Sequence, residues 1–134
     1  MERIGIRNIV LVGPMVRTDI FTPSAEKTSA AQELRRNRNL EDRFVILAPS
    51  RLARDKGTME LLKATKILVD CGYDNIVVVL IGAAMKNFIG EVRDYISQSG
   101  LEERVIILPQ MSQQELAIWY EAADVTVLPS YTEG

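Results

Sequence analysis

The sequence predicts an α/β fold, a Rossmann-like parallel sheet with helices on both faces. Short apolar runs alternate with helical patterns from about residue 42 onward, which is typical of βαβ units with right-handed crossovers. The run Ile76–Ile81 is apolar and rich in β-branched residues, which indicates a parallel strand covered on both faces. Gly72 and Gly100 follow helical patterns, at the position where glycine commonly ends a helix.

The first forty residues predict a small N-terminal unit. Residues Asn8–Val12 are apolar and predict a short strand. Residues 13–23 are expected to be connecting chain, with Phe21 as an apolar anchor. Residues 24–39 have the composition of a helix, and the arginines near its end are expected on a solvated face. We therefore expect residues 1–40 to form a strand, an interdomain linker and a helix.

Residues 41–134 predict a partial Rossmann-like domain whose last strands are missing. Strands are expected at Phe44–Leu47, Ile76–Ile81, Val105–Leu108 and Asp124–Leu128. Helices are expected at Thr58–Cys71, at Asn87–Ser99 and from Ser112 onward. Ser112 and Glu115 have the spacing of a capping box at the start of that last helix.

Composition excludes several functions. The chain has 134 residues, no histidine, one cysteine and a net charge of −2. Without histidine, this chain cannot supply an imidazole base, a Ser-His-Asp triad or a histidine metal ligand. The acidic balance argues against binding of nucleic acid. The single cysteine, Cys71, permits no intramolecular disulfide. The sequence shows neither a signal peptide nor a membrane-spanning run, so a cytoplasmic location is expected.

The most informative stretch is the connection that follows the strand at residue 47. It carries the cations Arg51 and Lys56, and it leads into a helix. Strand ends that lead into helix N-termini are where open α/β sheets bind ligands, and a helix N-terminus favours an anion. The connection therefore predicts a site for a phosphate or diphosphate.

The final predicted strand has an unusual position. Residues Val125–Leu128 are apolar, yet the chain ends only six residues later. An apolar strand with nothing beside it can pair with another chain. We expect either a fragment of a larger protein or self-association through the Val125–Leu128 edge.

Several segments, in this order, resemble the donor-binding domain of retaining GT-B glycosyltransferases, the glycosyl transferase group 1 family. The matching segments are Asp19–Pro23, Ser50–Leu52, Asp55–Gly57, Leu80–Gly82, Arg104–Pro109, Glu115–Tyr120, Ala123–Val125 and Leu128–Gly134, the last of which fits Pro-Ser-x-x-Glu-Gly. Two segments depart from the family pattern: Gly13–Arg17 replaces an Asn-Gly-Val form, and Ala83–Met85 replaces a Gly-Pro.

The resemblance implies roles for individual residues. Arg51 and Lys56 would contact the diphosphate of a nucleotide-sugar donor, and Glu133 would lie near the donor sugar as the catalytic-site glutamate. Gly82 would permit close approach of the ligand, and Gln110 or Met111 would contact the nucleotide base. The resemblance implies no cofactor and no essential metal.

The resemblance also implies a UDP-, GDP- or ADP-sugar donor and transfer with retained anomeric configuration. The acceptor domain of the parent protein would be missing, so the acceptor stays unknown and the isolated chain is expected to be inactive. The parent enzyme could act at the cytoplasmic face of a membrane. One alternative is a non-catalytic nucleotide-binding or oligomerising module. Another is a flavodoxin-like or response-regulator-like domain, which the basic Ala48–Arg51 segment disfavours.

Overall fold

A computed structural model describes residues 16–132, which contain a four-stranded parallel sheet in the order β3-β2-β1-β4. The strands are β1 (Phe44–Ala48), β2 (Ile76–Ile81), β3 (Val105–Leu108) and β4 (Val125–Thr126). The helices are α1 (Thr18–Phe21), α2 (Ala25–Asn37), α3 (Thr58–Asp70), α4 (Lys86–Gln98) and α5 (Gln113–Ala122), with a 3₁₀ turn at Arg54–Lys56. The predicted fold class is confirmed.

The sheet has an apolar core on each face. On one face, α3 and α4 pack through residues such as Leu62 and Val92. On the other, Trp119 of α5 and Leu34 of α2 pack against the opposite sides of the same strands. Every residue of β2 is buried, as expected for an interior parallel strand.

The start of α5 confirms the predicted capping box. The Ser112 hydroxyl accepts from the Glu115 N–H at 3.2 Å, and the Glu115 carboxylate accepts from the Ser112 N–H at 2.9 Å. These reciprocal bonds satisfy two N–H groups that a helix start otherwise leaves unpaired. The hydrogen bond with Ser112 also holds the pKa of Glu115 below its usual range, because it stabilises the carboxylate.

Residues 13–23 were expected to be connecting chain, but a short helix, α1, lies within them. Ile20 is buried, and the Phe21 ring meets the Tyr120 ring edge-on at a centroid distance of 5.7 Å. Contact with α5 thus stabilises a helical turn that has little local signal of its own.

The expected solvated face of α2 is wrong for one of its arginines. Arg35 donates to the Ala122 carbonyl at 2.7 Å and to the Arg43 carbonyl at 2.6 Å, and it also pairs with Asp124 at 3.1 Å. Arg35 therefore connects α2 to α5 and to the chain entering β1. A helical pattern cannot predict this, because the acceptors lie far away in sequence.

Strand β4 is shorter than predicted and lies at one edge of the described sheet. It pairs with β1 through Val125 and Thr126, and Val127 still donates to the Leu47 carbonyl at 2.8 Å. Pro129 has no N–H to continue the ladder. Val125 is 39% exposed and Leu128 57% exposed, so self-association through this edge stays a prediction.

The predicted strand Asn8–Val12 lies outside the described residues, and the division of the chain at residue 40 also stays a prediction.

Candidate functional site

The strand order creates a switch point between β1 and β4. The chain runs outward from β1 to β2 and β3, and then crosses back to form β4 on the other side of β1. Loops that leave the carboxyl ends of strands at such a point diverge and form a binding crevice. Here they are residues 49–57, called the β1 loop, and residues 127–132, called the β4 loop. The space between them is the switch-point crevice.

The two loops are held together by direct contacts. The Tyr131 N–H donates to the Asp55 carbonyl at 2.9 Å, and the Lys56 ammonium donates to the Thr132 carbonyl at 3.3 Å. Gly57 has a φ of +66°, and a Cβ atom there would lie 2.0 Å from the Pro129 carbonyl oxygen. Close packing of backbone against backbone therefore sets the position of the β1 loop, which carries Arg51, Arg54 and Lys56, relative to the β4 loop.

The β1 loop is also fixed to the turn that follows β2. The Leu52 N–H donates to the Ala83 carbonyl at 3.0 Å, and a Cβ atom on Gly82 would lie 2.2 Å from the Ser50 carbonyl oxygen. In the structure, Gly82 thus permits the close approach of two loops of the protein. Its proximity to a ligand stays a prediction.

Thr58 closes the end of the β1 loop at the start of α3. Its buried hydroxyl accepts from the Ala53 N–H at 3.3 Å and lies 3.2 Å from the Ala53 carbonyl. Gly57, the residue before the helix, has no side chain to cap it. The N-terminus of this thirteen-residue helix, which is the positive end of its dipole, therefore lies at the end of the β1 loop.

The two arginines of the β1 loop pair with different carboxylates. Arg54 and Asp55, for which the sequence favours exposure or pairing with each other, are both exposed, and Arg54 binds Glu91 of α4 at 2.7 and 2.5 Å. Asp55 instead pairs with Arg51 at 3.5 Å. The i to i+4 spacing of Arg51 and Asp55 was visible in the sequence, and it was the one signal that could have revealed their pairing.

The β4 loop carries the polar side chains of Ser130, Tyr131 and Thr132. Tyr131 is 68% exposed, and its hydrogen bond with Glu60 raises the pKa of its hydroxyl. The Ser130 hydroxyl oxygen is buried and has no hydrogen-bond partner among residues 16–132. Glu133, the expected catalytic glutamate, lies outside the described residues.

The expected base-contacting residues lie away from the switch-point crevice. Gln110 and Met111 follow β3, which β2 separates from β1. They line a groove of about 410 Å³ together with Leu108 and Trp119. The structure therefore places Lys56 against the β4 loop and Arg51 against Asp55 of the β1 loop, but it places Gln110 and Met111 in a different depression.

Residues 16–132 contain neither a cluster of metal-ligating side chains nor a membrane-spanning helix. No group of three histidine, cysteine, aspartate or glutamate residues is suitably placed to hold a metal ion in this part of the chain. In the same range, no helix is long and apolar enough to cross a membrane.

The four parallel strands, the helices on both faces and the crevice at the switch point place the chain among Rossmann-like α/β domains. The family model for glycosyl transferases group 1 matches residues 30–134, which is most of the chain. The chain belongs to this family, whose members transfer sugar groups.

Curated relatives show the same similarity. The D-inositol 3-phosphate glycosyltransferase of Streptosporangium roseum is 34% identical over 132 residues, covering 94% of this chain and 29% of that protein. The enzyme of the same name from Arthrobacter sp. is 33% identical over 130 residues, covering 95% of this chain and 30% of that protein. The chain therefore spans less than a third of the length of these relatives.

Solved structures share the fold. The C-terminal domain of the group 1 family protein LpcC from Francisella tularensis superposes with a TM-score of 0.73 at 26% identity, covering 90% of this chain and 61% of that domain. Anabaena HepE, solved in complex with UDP-glucose, has a TM-score of 0.71 at 24% identity, covering 85% of this chain and 30% of HepE.

Proposed function

We propose that this chain carries the nucleotide-sugar donor-binding part of a glycosyltransferase. The observation that carries the proposal is the switch-point crevice, where the β1 loop with Arg51 and Lys56 lies against the β4 loop. The fold match to HepE, which has been solved with UDP and with UDP-glucose, supports a nucleotide-sugar donor.

In this proposal, Arg51 and Lys56 bind the donor diphosphate. Sugar transfer leaves negative charge on the departing nucleoside diphosphate, and fixed cations beside it stabilise that charge in the transition state. Arginine suits two-point contact with phosphate oxygens, whereas lysine supplies a compact charge. Because these cations supply positive charge, the proposal needs no metal ion. It also includes transfer with retained anomeric configuration, which is the pattern of the family.

The proposal places the rest of the donor around these cations. The start of α3 adds its positive dipole end toward the diphosphate. Glu133, which follows Thr132 in the sequence, would accept hydrogen bonds from sugar hydroxyls. The base would extend from the crevice to the groove after β3, where Gln110 or Met111 would contact it, and UDP, GDP and ADP are the nucleotides to compare.

We expect no sugar transfer by the 134-residue chain alone. The chain spans less than a third of the length of its curated relatives, and an acceptor must also be held for transfer to occur. The measurement is release of nucleoside diphosphate from UDP-, GDP- and ADP-sugars by the purified chain. Turnover that scales with the concentration of this chain would contradict the expectation.

The donor site is tested by NMR titration of the labelled chain with UDP, GDP and ADP. Chemical shift changes are expected at Arg51, Lys56 and neighbouring residues. Arg51→Ala or Lys56→Ala is expected to weaken binding by about tenfold at low ionic strength, because each removes one charge-assisted phosphate contact at an exposed site. The nucleotide that binds most tightly indicates the donor class.

Arg54→Ala is the matched control for this titration. It removes the same charge from the same loop, but the Arg54 guanidinium binds Glu91 and lies 5.4 Å from the centre of the Phe88 ring, toward α4. Its nucleotide affinity should stay within about twofold of the parent chain. Equal effects of Arg51→Ala and Arg54→Ala would show that binding depends on overall charge, and the proposed site would be wrong.

A non-catalytic nucleotide-binding or oligomerising module is the alternative, and the exposed β4 edge favours it. Nucleotide binding that depends on Arg51 and Lys56 supports the donor site. An absence of binding, together with self-association, would support the alternative.

A further inference from the structure

The two arginines that precede Asp55 in the β1 loop have ion pairs of different geometry. Arg54 contacts both carboxylate oxygens of Glu91, at 2.7 and 2.5 Å, and its guanidinium also lies over the Phe88 ring. Arg51 pairs with Asp55 at 3.5 Å, which is longer than a good charge-assisted hydrogen bond. Arg51 is 59% exposed, so its side chain can exchange one partner for another at little cost.

Contacts with the β4 loop hold the backbone of Asp55 in place. Its carbonyl accepts from the Tyr131 N–H at 2.9 Å, and two residues later Gly57 lies directly against Pro129. The position of the Asp55 backbone relative to the β4 loop is therefore fixed. A change in the Arg51–Asp55 pair comes from rotation of the two exposed side chains.

We propose that Asp55 is a positioning residue that competes with the donor diphosphate for Arg51. The inference rests on the proposed donor site. Without ligand, Asp55 holds Arg51 at the crevice rim; when a diphosphate enters, the guanidinium leaves the carboxylate and binds phosphate oxygens. Arginine forms two parallel bonds to phosphate, so the exchange replaces a loose ion pair with a better one.

The competition limits affinity without changing the fold. Each binding event must separate Arg51 from Asp55, so the stabilisation of that ion pair is lost when the ligand binds. This loss weakens binding and favours release of the nucleotide. Asp55 thus sets how tightly the crevice retains a diphosphate, through Arg51 rather than by contact with the ligand.

The test compares Asp55→Asn with the parent chain in titrations of UDP and inorganic pyrophosphate. Asparagine keeps the size of the side chain and removes its charge. We expect about twofold to fivefold tighter binding of both ligands at low ionic strength, the range that loss of an exposed ion pair can account for. Glu91→Gln is the matched control: it removes a carboxylate from the neighbouring arginine pair, so affinity should change by less than about twofold.

A double-mutant cycle tests whether the effect of Asp55 on affinity depends on Arg51. In an Arg51→Ala background, Asp55→Asn should have little further effect, because no arginine remains to compete for. In the unliganded chain, Asp55→Asn should also shift the Arg51 Nε–H NMR signal, which a purely structural role would leave unchanged. Thermal unfolding of each variant checks that the fold is retained.

Each outcome is decisive. Unchanged or weaker binding by Asp55→Asn overturns the inference, and so does a gain of affinity that persists without Arg51, since that would be direct repulsion of the ligand. If the parent chain binds neither UDP nor pyrophosphate, the proposed donor site fails and the inference fails with it. If Arg51→Ala weakens binding but Asp55→Asn has no effect, the inference alone fails.

Discussion

Gly57→Ala is expected to lower the free energy of unfolding by about 3 kcal/mol or more and to weaken nucleotide binding. Gly57 has a φ of +66°, a left-handed conformation that costs other residues about 1–2 kcal/mol. An added Cβ atom would also lie 2.0 Å from the Pro129 carbonyl oxygen and 2.8 Å from its carbon. Because these are backbone atoms, the β4 loop must move away and the switch-point crevice must change shape.

Gly100→Ala is a closely matched control for this substitution. Gly100 has a φ of +65°, but a Cβ atom there would have no neighbour within 4 Å among the described residues. Urea denaturation of the two variants should therefore show the backbone cost of about 1–2 kcal/mol for Gly100→Ala and a larger loss for Gly57→Ala. Equal losses would show that contact between the β1 and β4 loops contributes nothing to stability.

Gly82→Ala is the second substitution with a large expected effect. A Cβ atom on Gly82 would lie 2.2 Å from the Ser50 carbonyl oxygen and 2.7 Å from the Ser50 carbonyl carbon. The turn after β2 must then separate from the β1 loop, which strains the Leu52–Ala83 hydrogen bond. We expect a loss of about 2–4 kcal/mol in the free energy of unfolding, and weaker binding of nucleotides because Arg51 directly follows Ser50.

Gly90→Ala tests the opposite expectation in the same experiment. Gly90 lies within α4, where an added Cβ atom would have no neighbour within 4 Å among residues 16–132. Alanine is the better helix former, so this variant should be more stable by about 0.5–1 kcal/mol. Thermal or urea unfolding measures both variants. A Gly82→Ala chain as stable as the parent would mean that the two loops can separate freely.

Much of the fold was predictable because its signals are local. The apolar run Ile76–Ile81 has the predicted bounds of a strand, and so does Val105–Leu108. Ser112 starts α5 through the predicted capping box. The helix α1 was missed because its stability comes from Phe21 packing on Tyr120, a contact between residues far apart in the chain.

The candidate site was predicted as a set of residues but not as an arrangement. The Arg-Leu and Lys-Gly segments of the β1 loop identified Arg51 and Lys56, and the structure places Lys56 against the β4 loop and pairs Arg51 with Asp55. The sequence did not identify the carboxylate partner of Arg54. Arg54 binds Glu91 because α4 packs against the loop, and no local pattern contains that information.

The sequence by itself determined the alternation of strands and helices, the helix start at Ser112 and the presence of cations after β1. These features depend on periodicity and on neighbours within a few residues. Only the tertiary structure decided that β4 pairs with β1, which brings Pro129 against Gly57 and Tyr131 against Asp55. Contacts between residues about seventy positions apart depend on how whole elements pack to bury their apolar surface, and the switch-point crevice exists only after that packing.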